Sequence, residues 1–514
     1  MAVRYFAAIS IGSVQTEMKI YEWGGKKPMR EVECLSSRMT LQLDVYKSGR
    51  ISREHIEELC TVLRDYVRLM QSYRVDAYKA AAPSAFRESR NMSIMQDYIE
   101  KQTGLKIEVL SNSEQRFVDY KAIASVTAEF ETIIQSPAAI VDIGSSSMQI
   151  SLFDKDKLIT TQNIRIGSVT TREQLAPFVK SSGHFETLVS ELLDHELAGF
   201  GKLYQKDRQI KNLIVIGGNL RGLMTPYQEE SRRITAVTKE AFEKVYGLVV
   251  HLDQDEIARR YNISYDQSGP IVPSAVFCHC LMENLGAQTM WFPDYSLCDG
   301  LAYDYGVKNR YLKNSHDFEE DILAAARSIA KRYKCSQAHI RNLEEIALMV
   351  FDRMKKIHGM GKRERLLLQI SIILHNCGKF ISLENVSECA YYIIMATEII
   401  GLSHTEREMI AYTVKFNTSA FENYDDLAVR TALTRSEYMV VAKLTAILRI
   451  VNALDRTHQQ KCKNVTVTLK EHELRITAVS QADLSLEAGT FESKAPFFEE
   501  IFNVHPVFKQ RKQI

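Results

Sequence analysis

At 514 residues, 45% hydrophobic and 25% charged, the chain has material for several hydrophobic cores, about three or four domains at roughly 100–200 residues each. A net charge of +1 excludes a general electrostatic attraction to nucleic acid or to an anionic membrane surface, so any polyanion site must be local. No run of 18 apolar residues and no signal-type N-terminus is present, and nine cysteines without a CxxC pair do not make a disulfide framework; a cytoplasmic protein is the expectation.

In chain order, AAISIGSVQTEMKIYE at 7–22 alternates around an Ile-Gly-Ser turn, which predicts a hairpin with one face on a core. REHIEELCTVLRDYVRLM has helical spacing, DAYKAAAPSAF reads as a strand ending in a turn, and KIEVL is another strand before SNSEQRF. AAIVDIGSSSMQISLF at 138–153 then repeats the opening pattern, with Ile143 standing 132 residues beyond Ile11. Each copy read alone is either an ordinary core hairpin or a phosphate cradle, since the N–H groups of such a turn form an anion nest and hydroxyls beside it add donors. Two copies at domain-sized separation favour two similar lobes facing a cleft. ELLDHELAGF is helical, and NLIVIGGNLRGL is a strand followed by Gly-Gly and a helix start, another place where backbone donors can meet phosphate. Cys278-His279-Cys280 lies in the apolar run SAVFCHCLM without a second ligand pair, which favours a buried core helix over a metal fragment.

From Asp317 to Arg456 nearly everything has helical period; in HIRNLEEIALMVFDRMKKI, Ile340, Leu343, Ile346, Val350 and Met354 share one face. NVTVTLKEHELRITAV alternates like a hairpin and opens a small mixed tail. The expected organisation is a first lobe over 1–125, a second over 126–308, a helical domain over 309–462 and a small α+β domain over 463–514.

Six motifs fall in order: IGS at 11–13, SAFRESRN at 84–91, LSNSEQRF at 110–117, VDIGSSS at 141–147, GGNLRGL at 217–223 and LCDGLAYDYG at 297–306. In this order, and with DLSLEAGTFESKAPFFEEIF in the tail, the chain resembles the Ppx/GppA family of exopolyphosphatases and guanosine pentaphosphate phosphohydrolases over essentially its whole length. The resemblance implies an α/β fold of two actin-like (ribonuclease H-like) ATPase-superfamily lobes, followed by an all-α HD-like domain and the small mixed tail. It also implies a phosphate chain held between the lobes, with terminal phosphates removed by water. Phosphoryl transfer rests on positioning and charge neutralisation, so it needs N–H donors, a basic side chain, a carboxylate-held divalent ion and a group that orients or deprotonates water.

By that resemblance, Gly12 and Ser13 match the first phosphate loop. Gly144, Ser145, Ser146 and Ser147 match the second, with two glycines turned to serine, and Gly217, Gly218 and Asn219 match the third. Arg87 holds the position of a phosphate-contacting arginine, and Asp142 that of an acid which helps hold Mg2+. Three other acids are missing. Ser10 stands where the first loop begins with aspartate, Gln149 where the second loop closes with glutamate, and Gln115 at the catalytic glutamate, with Glu114 just before it. An amide is nearly isosteric with a carboxylate but is uncharged, takes no proton near neutral pH and is a poorer magnesium ligand. The expectation is therefore a protein that binds polyphosphate or pppGpp between its lobes, with a weakened Mg2+ site and with hydrolysis weakened or lost. The alternative is a fully active exopolyphosphatase using Glu114 and Asp142.

The helical domain reads similarly. His339 and His375 match HD-type ligands, but the His-Asp pair is His375-Asn376, and Asn452 stands where an aspartate is expected, with Asp455 three residues on. No metal is expected there. The expected partner is the polyphosphate or guanosine polyphosphate, with no nucleic acid and no membrane; relatives with this helical domain often pair through it, so a homodimer is a further expectation.

Overall fold

The computed structural model describes residues 3–13, 15–24, 29–39, 41–126, 129–145, 147–182, 185–218, 220–224, 234–313 and 316–511. They form two compact units, Met1–Phe318 and Glu319–Ile514. Among the described residues no helix is long and apolar enough to cross a membrane.

The first unit contains one five-strand pattern twice, the second time extended by an antiparallel edge strand. Strands β1 (Arg4–Ile11), β2 (Gln15–Trp23), β3 (Arg30–Arg38), β4 (Ala77–Ala82) and β5 (Ile107–Val109) lie in the order β3-β2-β1-β4-β5. Strands β6 (Ala138–Ile143), β7 (Met148–Asp154), β8 (Lys157–Ile164), β9 (Asn212–Gly217), β10 (Ile234–Thr238) and β11 (Thr289–Pro293) lie in the order β10-β11-β9-β6-β7-β8. In both, a three-stranded antiparallel meander is continued by two parallel strands. The hairpins anticipated from the repeat are β1–β2 and β6–β7, and they share one turn: the Gly12 amide donates to Gln15 O at 2.9 Å and the Gly144 amide to Ser147 O at 3.0 Å. A Cβ at Gly12 would stand 2.7 Å from Gln15 O, and one at Gly144 2.9 Å from Ser147 O, so each turn closes only on glycine.

Period two decides what each face meets. Ala7, Ile9, Ile11, Met18 and Ile20 bury one face of the first sheet in a core with Leu59, Cys60, Leu63 and Tyr66 of the Arg53–Ser72 helix. Ala139, Val141, Ile143, Met148 and Ile150 do the same in the second sheet with Val276, Phe277 and Leu281 of the Ile271–Leu285 helix. Cys278 and Cys280 lie in that core.

The other faces meet two helices that pack on one another. Phe6, Ala8, Tyr21 and Trp23 cluster with Leu301 and Ala302 of the Leu297–Lys308 helix. That helix is anchored by buried Asp299, which accepts from Tyr21 Oη at 2.9 Å, from Lys19 Nζ at 3.2 Å and from the Ser296 amide at 2.7 Å. On the second sheet the Asn112–Val126 helix packs through Tyr120 against Phe153, with ring centroids 6.0 Å apart. Where the two helices touch, a Cβ on Gly300 would lie 2.2 Å from Val118 O, so the contact requires a residue without one.

In the second unit the predicted apolar stripe is buried: Ile340, Leu343, Ile346 and Val350 on the Gln337–Arg353 helix, and Met354 at its end. The tail follows as a hairpin of β12 (Lys463–Lys470) and β13 (Glu473–Val479); the Ser485–Phe502 helix then returns β14 (His505–Arg511) parallel to β13.

Overpacking the helix crossing has a measurable cost. Gly300→Ala should lower the stability of the full chain by about 1–3 kcal/mol in urea unfolding. Gly199→Ala, on the exposed side of the Phe185–Phe200 helix with open space around its Cβ, should be neutral or stabilising by up to about 1 kcal/mol. Equal losses at both positions would contradict the crossing constraint.

Candidate functional site

A cavity of about 400 Å³ opens at the carboxyl ends of the parallel strands β6, β9 and β11, the usual ligand position in an open α/β sheet. Its polar lining is Gln115, Asp119, Asp142, Arg221, Tyr295 and Ser296. Gln115 and Asp119 share a face because they stand four apart on the Asn112–Val126 helix. Asp142 sits next to last in β6, and period two turns it away from the core that takes Val141 and Ile143. Gly217 and Gly218, at φ +75° and +68°, let the end of β9 reach the site, since a Cβ would stand 2.4 Å from Ile143 O at Gly217 and 2.7 Å from Ser274 Oγ at Gly218.

The electrostatics are unusual for a cavity with two acids. Arg116 donates from Nε to Asp142 Oδ2 at 3.0 Å, and their side chains keep only 7% and 19% of their exposure. Burial and the neighbouring Asp142 charge push the Asp119 carboxyl well above the usual range, against a smaller opposing pull from Arg116, which favours its protonated form. Burial, then Asp119 and Asp142, push the Tyr295 hydroxyl well up, so it stays neutral. Gln149 lies directly across from Asp142 in the β6–β7 register, is 1% exposed, and neither of its amide atoms has a hydrogen-bond partner. Arg221 pairs with Asp294 at 2.6 Å. The cavity is thus lined by donors around one charged carboxylate that already faces a guanidinium.

Of the residues singled out from the sequence, the cavity brings together Gln115, Asp142 and Gly217, with Gln149 across the strand from Asp142. Glu114 is held elsewhere: its carboxylate accepts from the Ser111 amide at 3.0 Å while Ser111 Oγ accepts from the Glu114 amide at 3.2 Å, a capping box that starts the helix. Arg87 donates to Leu110 O at 2.7 Å and to Asn112 Oδ1, bracing the turn into the same helix. The carbonyls of Gly144 and Ser145 accept from the first amides of the Ser168–Ser182 helix, Ser168, Val169 and Thr170, at 3.0–3.1 Å. Because a trans peptide points N–H opposite to C=O, the Ser145 amide faces the other side of the loop. Ser10 pairs in register with Glu17, whereas Asp142 pairs with Gln149, so the acid changes strands between the two hairpins. Gly12 and Ser13 form the first turn and Ser147 closes the second, while Ser146 and Asn219 lie outside the described residues.

Arg116, Asp119, Arg221 and Tyr295 were not picked out from the sequence. Helical period from Gln115 points to Asp119, and Arg221 stands inside the GGNLRGL motif. The Arg116–Asp142 pair carries no local signal, because it joins residues 26 apart on different elements.

In the second unit His339 and His375 face each other, Nε2 to Nε2, at 3.2 Å. His339 Nδ1 bonds Asp455 at 2.7 Å, His375 Nδ1 bonds Ile372 O at 2.7 Å, and the His458 ring stacks on His339 at 3.6 Å. The carboxylate that joins these histidines is Asp455; Asn452 and Asn376 are half-buried beside them. Among the described residues, the one group of three or more His, Cys, Asp or Glu with ligand atoms within 4.8 Å is Glu243, His279 and Glu283 in the first unit, where Lys239 pairs with Glu283.

Comparison with known proteins gives a consistent picture. The Ppx/GppA phosphatase family profile matches residues 20–308, and the profile for Ppx/GppA phosphatase domain III matches residues 323–493. The guanosine-5'-triphosphate,3'-diphosphate pyrophosphatase of Photobacterium profundum is 18% identical over 455 residues, covering 86% of each chain. Exopolyphosphatase 1 of Mycobacterium leprae is 19% identical over 288 residues, 55% of this chain and 82% of that one. The crystal structure of the Aquifex aeolicus member of the Ppx/GppA family matches with a TM-score of 0.52 at 20% identity, covering 60% of this chain and 99% of that one.

The histidine cluster makes stability depend on pH. Burial and then His339 lower His375 to about 3; burial, His339 and Lys379 lower His458 to about 4. The unfolded chain, with histidines near 6.5, binds more protons than the folded one from there down to those values. Stability should therefore fall as pH drops from about 6.5 towards 4, by at most about 1.4 kcal/mol per pH unit for each histidine. The urea midpoint of the full chain at stepped pH checks this, with a shallower slope expected for His375→Gln; a flat profile for the unaltered chain would contradict it.

Proposed function

Because the chain belongs to the Ppx/GppA phosphatase family, we propose that it receives inorganic polyphosphate or a guanosine polyphosphate in the cavity beside Asp142 and hydrolyses the terminal phosphoanhydride poorly or not at all. The observation that supports impaired turnover most directly is the exchange of roles at 114 and 115. The side chain in the cavity is the amide of Gln115, while the neighbouring carboxylate of Glu114 holds a helix cap. A glutamine can orient water but accepts no proton from it, and general base catalysis contributes roughly 10²–10⁴-fold. Binding does not suffer in the same way. A phosphate chain is a polyanion, and amides at 115 and 149, a carboxyl at 119 that favours its protonated form and a carboxylate at 142 paired with arginine leave little to repel it.

The test uses the purified chain with medium-length polyphosphate or pppGpp, following orthophosphate and melting temperature together. Thermal stabilisation with phosphate release near the protein-free control is the expected result. Restoring acids together, as Ser10→Asp, Gln115→Glu and Gln149→Glu, should raise release in magnesium buffer by about 10²-fold or more. Rapid release by the unaltered chain, lost in Glu114→Gln, which preserves the capping hydrogen bond, would instead establish the active enzyme that uses Glu114 and Asp142.

A further inference from the structure

We propose that Arg116 takes the place of a divalent cation against Asp142, so that the cavity receives a phosphate chain without a metal ion. This rests on the reading of the cavity as a phosphate site and concerns what neutralises the charge there. Enzymes of the family are phosphatases that generally depend on a divalent metal. The residues here do not fit one. A magnesium ion at a phosphate site is held at about 2.0–2.1 Å by one or two free carboxylates together with waters and the substrate's own phosphates. Asp142 already has Arg116 Nε at 3.0 Å, and an ion placed on that carboxylate would meet the guanidinium.

The neighbours point the same way. Gln149, the residue in register with Asp142, is a buried amide with two unpartnered atoms and adds no negative charge beside that carboxylate. Gln115 offers a second amide within the cavity. Arginine suits this role, since its charge is fixed at any physiological pH and its planar fork matches phosphate as well as carboxylate. The guanidinium thus cancels the charge of Asp142, the carboxylate of the lining that it pairs with.

The deciding measurement is polyphosphate affinity of the full chain by calorimetry, in magnesium buffer and in EDTA. Equal affinity in the two buffers, within about a factor of two, is expected for the unaltered chain. Arg116→Ala, which leaves the Asp142 charge unpaired beside a polyanion, should weaken binding in EDTA by about tenfold or more, while Arg116→Lys keeps part of it. Asp142→Asn, which removes the acid and leaves the cation, should bind in EDTA at least as tightly as the unaltered chain. Loss of binding by the unaltered chain in EDTA, or loss by Asp142→Asn in magnesium, would overturn the inference and leave the phosphate site standing. Absence of binding in both buffers would remove the phosphate reading, and this inference with it.

Discussion

The contact between the Asn112–Val126 and Leu297–Lys308 helices at Gly300 constrains everything else in the first unit. One helix lies on each sheet, and the distance between them is set by a backbone carbonyl, Val118 O, resting where a side chain would otherwise stand. That approach places Gln115 and Asp119 at the carboxyl ends of the second sheet's parallel strands and brings Arg116 within reach of Asp142. The partner helix is fixed to the first sheet from its first turn, through Asp299 bonded to Tyr21 and Lys19. The LCDG segment of the sequence thus has a physical meaning. Its aspartate ties the helix to one lobe, and its glycine lets that helix meet the helix of the other.

Within this frame the site's chemistry is governed by how much negative charge its walls carry. A phosphate chain and a catalytic base place opposite demands on the same few side chains. A carboxylate base and carboxylate metal ligands are anionic, whereas the chain itself is repelled by anions. On the proposed reading, replacing carboxylates by amides resolves that competition in favour of binding, because shape and hydrogen-bonding capacity are kept while charge is lost. The remaining acids fit this balance: Asp142 is paired, Asp119 is pushed towards neutrality, and Glu114 is turned to the helix terminus.

How much of this was legible in the sequence follows from the range of each interaction. The paired hairpins could be read because strand alternation and a glycine turn are local, as were the 53–72 and 337–353 helices and the tail hairpin. Gln115, Asp142 and Gly217 could be placed near one another through their motifs. The local contacts of Arg87 and Glu114 are not legible in the same way, since whether such a side chain faces a ligand or the start of its own helix depends on a rotamer and on what lies beside it. Arg116 carries the least local signal. Its meaning comes from Asp142 on another element, and nothing in residues 110–117 announces that pairing. In the helical unit the HD-type resemblance places the expected aspartate at Asn452, whereas the helix end brings Asp455 to His339.

The two hairpins show why fold stayed readable where chemistry did not. At Gly12 and Gly144 the turn itself forbids a Cβ, so any other residue would displace the hairpin, and both copies retain glycine. Two positions before each glycine no such restraint operates. Ser10 and Asp142 both sit in regular strand backbone, and their cross-strand partners, Glu17 and Gln149, carry acid and amide in the opposite arrangement. Exchanging a carboxylate for a hydroxyl or an amide there leaves the ladder hydrogen bonds untouched, because those belong to the main chain. The backbone therefore tolerates a complete change of site charge. A chain can keep the outline of a phosphate-cleaving site while its walls come to favour holding the phosphate, and the side chains on the open face, not the fold, decide which of the two it does.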